Sequence, residues 1–454
     1  MSERDRRRRG GTGPVAGTTV APWQAGTMSS LSADLAFRGL VHQVTDPSVP
    51  SRLDHGSMTG YIGFDPTADS LHVGHLLQIL MLRRLQLAGH RPIALAGGGT
   101  GLIGDPGGKS EERPLLAEGE LEGNLAGIRV QLEGLLDFTA AAGAARALLL
   151  DNGDWLKRLG VIELLRDVGK HFTVNQMVAK ESVRARFERR DQGISFTEFS
   201  YMLLQAYDFL HLFDTEGCVL QLGASDQWGN ITMGIELVRR VRRQEVFGLT
   251  TPLVLKSDGT KFGKTESGTV WLDARRTSPY QLYQFFLRSE DSVVGAYLRF
   301  FTFLDHDAIR ALDDVTATRP AQREAQRTLA RQVCALVHGE PEATRAEKAS
   351  RALYAGQVAS LDEDSLVSIL TETPTSSRPG ALLDGAGLAL VDVVADTGLA
   401  RSKSQARTLV SGGGVYVNDR REQDLEARIG RGDLLFDRFL VLRKGRDYHL
   451  VCFE

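Results

Sequence analysis

The sequence predicts an α/β protein, with a parallel-sheet domain over 31–277, an all-helical domain over 278–365 and a small α+β module over 387–454. Three observations carry this. Met58 to Phe64 and Pro92 to Ala96 read as strands, with one apolar helix between them, and strand–loop–helix–strand order implies a parallel sheet. Residues 278–358 hold no good strand and are rich in Ala, Arg, Glu and Leu at helical spacing. Short strands return at Val415 to Val417 and Phe439 to Arg443.

Taken in order, residues 1–30 are expected to be a disordered tail: Arg6 to Arg9 form a basic run, and Gly, Thr and Pro follow. The tail lacks the apolar centre of a secretory signal, and Met28, before Ser29-Ser30, is a candidate start. The first strand leads into a loop, Asp65 to Ser70. A helix is predicted from His72 to Ala88, with Ser70 as its N-cap and Gly89 as its stop. Residues 366–386 are assigned as a linker, because Thr371 to Gly380 is a Thr/Ser/Pro run. In the last module, Leu390 to Thr397 forms a helix ended by Gly398. Ser402 caps a second helix bearing Lys403 and Arg407, and Gly445 turns the chain before Tyr448 to Phe453.

The 454 residues carry 54 basic and 57 acidic side chains, a net charge of −3. That excludes a globally basic nucleic-acid coat protein, but not a local RNA site. No apolar run approaches the roughly 18–20 residues that span a bilayer, so no membrane partner is expected. Cys218, Cys334 and Cys452 are odd in number and far apart. They suggest neither a disulfide framework nor a metal site, and they fit a reducing, cytoplasmic compartment.

Two glycine motifs are decoys. Gly99-Thr100-Gly101-Leu102-Ile103-Gly104 matches a dinucleotide fingerprint, but Asp105-Pro106-Gly107-Gly108 follows where a helix must open. Gly108-Lys109-Ser110 imitates the end of a P-loop, yet Ile103 stands where its first glycine belongs. More telling is His72-Val73-Gly74-His75 at a helix start, where backbone N–H groups, the helix dipole and imidazole donors favour an anion. The spacing lacks the i, i+4 pattern of a zinc helix. Lys261-Phe262-Gly263-Lys264-Thr265 places two lysines and a hydroxyl in a polar loop able to neutralise a polyphosphate. Alone, such a loop is usually just solvated.

Together, Tyr61 through Asp65-Pro66-Thr67 to His75 and the lysine loop resemble the signature motifs of class I aminoacyl-tRNA synthetases. The bacterial tyrosyl-tRNA synthetase family is the closer match within that class. Ser195 to Tyr201 and Leu204 to Phe209 resemble its tyrosine-pocket helix, and Gly223-Ala224-Ser225-Asp226-Gln227-Trp228-Gly229-Asn230 its ribose-side loop. Ala224 stands where many relatives have glycine, and Phe262-Gly263 replaces the Met-Ser of the wider class. Residues 387–454 resemble the S-four RNA-binding domain.

The resemblance implies a Rossmann-like catalytic domain that activates L-tyrosine with ATP and passes it to the 3′-terminal adenosine of tRNA(Tyr). Magnesium would arrive with ATP, with no dedicated protein site, and a homodimer is expected. By the same resemblance Thr67 and His72 meet the γ-phosphate side and His75 supports the nucleotide. Lys261, Lys264 and Thr265 clamp the pyrophosphate, joined by Lys109 and Arg113. Tyr61 and Asp208 take the phenol; Asp105, Tyr201 and Gln205 take the ammonium group, and Gln227 also lies at the tyrosine. Gly63, Asp65, Gly74 and Asp226 lie at the adenylate, and Arg401, Lys403 and Arg407 bind tRNA. Tyr201, Gln205 and Asp208, at i, i+4, i+7, share one helix face. The alternatives are a tryptophanyl-tRNA synthetase and a non-catalytic RNA-binding protein on the same fold.

Overall fold

The computed structural model describes residues 30–105, 117–180, 183–184, 194–260, 262–265, 268–369, 373–445 and 447–454. Two compact units form: 1–273 with 290–325, and 274–289 with 326–454. The helical stretch expected over 278–365 therefore contributes to both.

The first unit is built on a six-stranded sheet. Its strands are β1 (Gln43–Val44), β2 (Thr59–Phe64), β3 (Arg91–Ala96), β4 (Leu148–Asp151), β5 (Cys218–Ala224) and β6 (Phe247–Thr251). Their order is β1-β6-β5-β2-β3-β4. All neighbours run parallel except β1, which pairs antiparallel with β6 at the edge. The central strands read as near-continuous apolar runs because both faces are covered; Ile93 and Ala94 are fully buried. The chain runs outward from β2 through β3 to β4, then returns beside β2 as β5. That reversal makes a switch point, and ligands bind outside the carboxyl ends of such strands.

Helix α1 (Leu31–Phe37) and helix α2 (Val73–Leu87) are fastened by a buried ionic cluster. Arg38 Nε donates to both oxygens of Asp34, at 2.8 and 2.9 Å, and its terminal nitrogens donate to the carbonyls of Arg299, Thr302 and Leu304. Arg84, near the end of α2, donates to the Thr302 carbonyl at 2.8 Å. Burial pulls its guanidinium down to about 9.

The N-terminus of α2 departs from expectation. Its cap is His72, whose Nδ1 accepts from the Gly74 N–H at 3.0 Å. Ser70, expected there, lies two residues too early and is buried: its hydroxyl donates to the Leu71 carbonyl and accepts from Gln131 at 2.8 Å.

In the second unit the helices Pro279–Leu287, Glu324–His338 (from Gln326 on) and Glu340–Ala355 precede a five-stranded sheet. Its order is Arg420–Glu422, Val415–Val417, Phe439–Lys444, Asp447–Phe453, Thr375–Arg378. The last of these falls inside the stretch assigned as linker. It pairs parallel with Leu450–Phe453, alternating exposed and half-buried. Thr and Ser suit a half-solvated edge strand as well as they suit a linker; Pro374, with no N–H to give, lends only its carbonyl to the Leu450 N–H at 2.9 Å, and Pro379 follows the strand. The basic helix Lys403–Ser411 starts as expected, with the Ser402 side chain accepting from the Gln405 N–H.

Candidate active site

The site residues cluster where the parallel strands end. Asp65 follows β2, Gly97 to Asp105 follow β3, Asn152 to Trp155 follow β4, and Ser225 to Gln227 follow β5. Helix α3 (Phe196–Glu216), capped by Ser195, brings Tyr201, Gln205 and Asp208 to the same place.

At one end of the cleft stands Asp208, 1% exposed. Its two oxygens accept from Asn152 Nδ2 at 2.9 Å and from the Trp155 indole N–H at 2.8 Å. Burial pushes the carboxyl up to about 7, opposed by those two donors. Tyr61 is also 1% exposed, and its hydroxyl is buried without a hydrogen-bond partner among the described residues. Burial and the nearby Asp208 charge hold its phenol well above the ordinary value, so the hydroxyl keeps its proton. An unsatisfied buried hydroxyl is costly, and here it sits beside a carboxylate.

A chain of bonds leads from this end to the next. Asn152 also donates to Thr100 Oγ1 at 3.0 Å, Thr100 donates to Asp65 Oδ1 at 3.0 Å, and Tyr201 donates to Asp65 Oδ2 at 3.1 Å. Gln227 Nε2 donates to Asp105 at 2.8 Å, and Gln205 donates to Gln227 at 3.4 Å. The Gln205 side-chain oxygen Oε1 is buried without a hydrogen-bond partner among the described residues. The carboxylates of Asp65 and Asp105 and the Gln205 side-chain oxygen are acceptors of the kind that suits a small cationic group. Gly97 and Gly98 let the loop run against Asp65 and Asp151, since a Cβ on either would collide with those carboxylates. The described part of the dinucleotide-like run forms only a single 3-10 turn, Thr100–Leu102.

The start of α2 forms the third part. The rings of His72 and His75 stack at 3.9 Å. Each Nδ1 accepts from a backbone N–H, of Gly74 and of His72 respectively. In the neutral rings the protons therefore reside on both Nε2 atoms, which makes these the donors. At Gly74 a Cβ would lie 2.7 Å from the His72 ring, so the glycine makes room for the cap itself. The bridge His72↔Trp271 and the Val73 N–H to Val270 carbonyl bond tie this turn to the lysine-loop segment. Gly263, at φ +86°, approaches so closely that a Cβ would lie 2.8 Å from Val73 Cγ2.

Lys264 and Thr265 lie in a short strand paired with Gly268–Thr269. Lys261, Lys109 and Arg113 fall outside the described residues. Gly63, Thr67 and Asp226 are exposed. No cluster of three metal-ligating side chains occurs among the described residues. In the second unit, Arg401, Lys403 and Arg407 are exposed, and Lys403 pairs with Asp392 at 2.9 Å. Sequence reasoning missed Thr100, Asn152 and Trp155. The only signal was the polar turn Asp151-Asn152-Gly153-Asp154-Trp155 after a strand.

A parallel sheet with a switch-point cleft, a histidine pair at a helix start and a lysine loop beside it define a class I aminoacyl-tRNA synthetase. The family model for "tRNA synthetases class I (W and Y)" matches residues 53–355, and that for "Tyrosine--tRNA ligase SYY-like C-terminal domain" matches 371–451. The chain is 52% identical over 425 residues to a tyrosine–tRNA ligase of Roseiflexus castenholzii, covering 93% of this chain and 99% of that one. It is 50% identical over 424 residues to that of Geobacillus stearothermophilus, covering 93% and 99%. A C-terminally truncated mitochondrial tyrosyl-tRNA synthetase of Aspergillus nidulans superposes with a TM-score of 0.65 at 33% identity, covering 72% of this chain and 95% of that one. The chain belongs to the tyrosine–tRNA ligase family.

Proposed function

We propose that this enzyme activates L-tyrosine with ATP, releasing pyrophosphate, and transfers the tyrosyl group from the adenylate to the 3′-terminal adenosine of tRNA(Tyr). The observation that carries it is the pair Tyr61 and Asp208: a buried, unpartnered hydroxyl beside a buried carboxylate. A phenol fits that pair as acceptor and donor at once. Phenylalanine would leave the buried Tyr61 hydroxyl unpaired and add no donor to the two that Asp208 already holds, which costs more than any gain in shape. The indole of tryptophan has a donor but no acceptor for Tyr61.

Asp105, Tyr201, Gln205 and Gln227 hold the ammonium end, and the unpartnered Gln205 oxygen is the acceptor it needs. Asp65, Gly63, Gly74 and Asp226 border the adenylate. The attacking carboxylate is already ionised, so no general base is required. The chain's contribution is placement and charge stabilisation. Thr67 and the Nε2 donors of His72 and His75 face the phosphates, while Lys261, Lys264 and Thr265, with Lys109 and Arg113, draw off the leaving pyrophosphate. Magnesium enters bound to ATP.

The tRNA is held in part by Arg401, Lys403 and Arg407, whose phosphate contacts give affinity rather than sequence choice. The partner of the whole chain is a second copy. Val161, Ile162, Leu165, Val174 and Phe196 are all more than half exposed, and large exposed apolar side chains are what an interaction surface is built from. Sedimentation of an Ile162→Glu, Phe196→Glu variant tests the dimer. No helix among the described residues is long and apolar enough to cross a membrane; a cytoplasmic location supplies both ATP and tRNA. The reaction is tested by charging unfractionated tRNA with labelled tyrosine or tryptophan. An ester formed with tyrosine alone supports the reading, and one formed with tryptophan, or none, sinks it.

A further inference from the structure

The lysine-bearing loop is delivered by a hairpin. Phe262 N–H donates to the Val254 carbonyl at 3.2 Å and Lys256 N–H to the Thr260 carbonyl at 2.9 Å. Gly259, at φ +77°, turns its tip. The hairpin buries little of itself: Leu253 and Leu255 are 42% and 43% exposed. What holds it is another helix of the same unit, Asp291–Phe301, whose N-cap is Glu290.

Glu290, Tyr297 and Phe301 are spaced seven and four residues apart, so they share one face. All three meet the hairpin. Ser257, at the tip, donates to the Glu290 carboxylate. The Tyr297 hydroxyl donates to the Leu255 carbonyl at 2.8 Å, on the outgoing arm. On the return arm Phe262 packs its ring 4.8 Å from Tyr297 and stacks on Phe301 at 5.2 Å. Tyr297 touches both arms. Burial pushes its phenol up to about 12, so it remains a donor throughout the working pH range.

Phe262 is joined directly to Gly263 and Lys264. The Gly263 carbonyl accepts from the Val270 N–H, and the Val270 carbonyl accepts from the Val73 N–H, both at 3.0 Å. A shift of the hairpin along the helix is therefore passed to the backbone of Lys264 and to the first turn of α2, which carries His72 and His75. We propose that Tyr297 is a positioning residue for adenylate formation: by clasping both arms of the hairpin it fixes the backbone that leads through Gly263 into Lys264, on which the reach of that lysine to the leaving pyrophosphate depends. This rests on the reading of Lys261 and Lys264 given above.

The test is Tyr297→Phe, which keeps the ring and removes only the bond to Leu255. Its kcat for tyrosine-dependent ATP–pyrophosphate exchange should fall about fivefold, the share of one hydrogen bond. The KM for tyrosine and the unfolding midpoint should stay unchanged. Phe262→Ala, which opens the clasp from the loop side, should give the same split. In a Lys264→Ala background, Tyr297→Phe should add almost nothing, because its effect passes through that lysine. An unaltered exchange rate in both single variants would overturn the proposal. So would a parallel loss of tyrosine affinity, or full additivity with Lys264→Ala. If Lys264→Ala alone kept the full exchange rate, the underlying reading of the lysine loop would fail instead.

Discussion

The indole N–H of Trp155 donates to Asp208 at 2.8 Å, on the side of the carboxylate away from the Asn152 bond. Asp208 is thereby aimed and partly neutralised before any substrate arrives, despite its burial. Trp155→Phe removes that donor without removing the ring. Tyrosine KM in pyrophosphate exchange is expected to rise roughly tenfold, the cost of one bond to a charged group, with ATP KM unchanged. Equal loss toward both substrates would place Trp155 in the general packing instead.

Asp208 also predicts a pH dependence. Its pKa of about 7 means the carboxyl gains its proton near neutrality. Only the ionised form accepts the phenol hydroxyl without a competing proton. Tyrosine affinity should therefore weaken as pH falls from about 8 to about 6, and Asp208→Asn should flatten that profile at a lower affinity. For stability the sign is opposite. A raised carboxyl pKa contributes stability that is full below the ordinary carboxyl value and lost as pH rises through about 7. Urea unfolding across that range should show Asp208→Asn lacking this loss.

The ion pair Arg38–Asp34 predicts a stability effect away from the cleft. Arg38→Met leaves a buried carboxylate with one partner fewer and takes a donor from the carbonyls of Arg299, Thr302 and Leu304, of which Thr302 keeps Arg84. Removing one partner of such a pair costs about 3–5 kcal/mol. The urea midpoint of the variant reads this directly; a shift within error would mean that water replaces the guanidinium.

Deleting 371–454 removes the C-terminal sheet and its basic helix while sparing every residue assigned to the amino acid and the phosphates. Tyrosine-dependent pyrophosphate exchange is expected to persist near its full rate, and tRNA charging to fall at least tenfold at physiological salt. Undiminished charging would remove the RNA role from Arg401, Lys403 and Arg407.

Much of this was legible in the sequence, for physical reasons. The strands ending at Phe64 and Ala96 are buried on both faces and so read as apolar runs. Tyr201, Gln205 and Asp208 share a helix face, so periodicity alone groups them. Asn152 and Trp155 were illegible because their bonds to Asp208 span more than fifty residues of chain, and their own segment looks like an ordinary polar turn. Thr375–Arg378 was taken for linker because composition cannot tell an edge strand from a loop. The N-cap at His72 is hidden in the sequence because serine is the commoner cap, and an imidazole nitrogen serves as the acceptor only in its Nε2-protonated form. Tyr297 read as one more aromatic in a helical region, since only the tertiary fold brings it to the hairpin.

The central claim is that Tyr61 and Asp208 together read a phenol. Pyrophosphate exchange driven in turn by tyrosine, phenylalanine and tryptophan, in the native chain and in a Tyr61→Phe, Asp208→Asn variant, tests it most directly. The account predicts exchange with tyrosine alone in the native chain, and a collapsed preference over phenylalanine in the variant. A ratio between the two amino acids that survives both substitutions would contradict it.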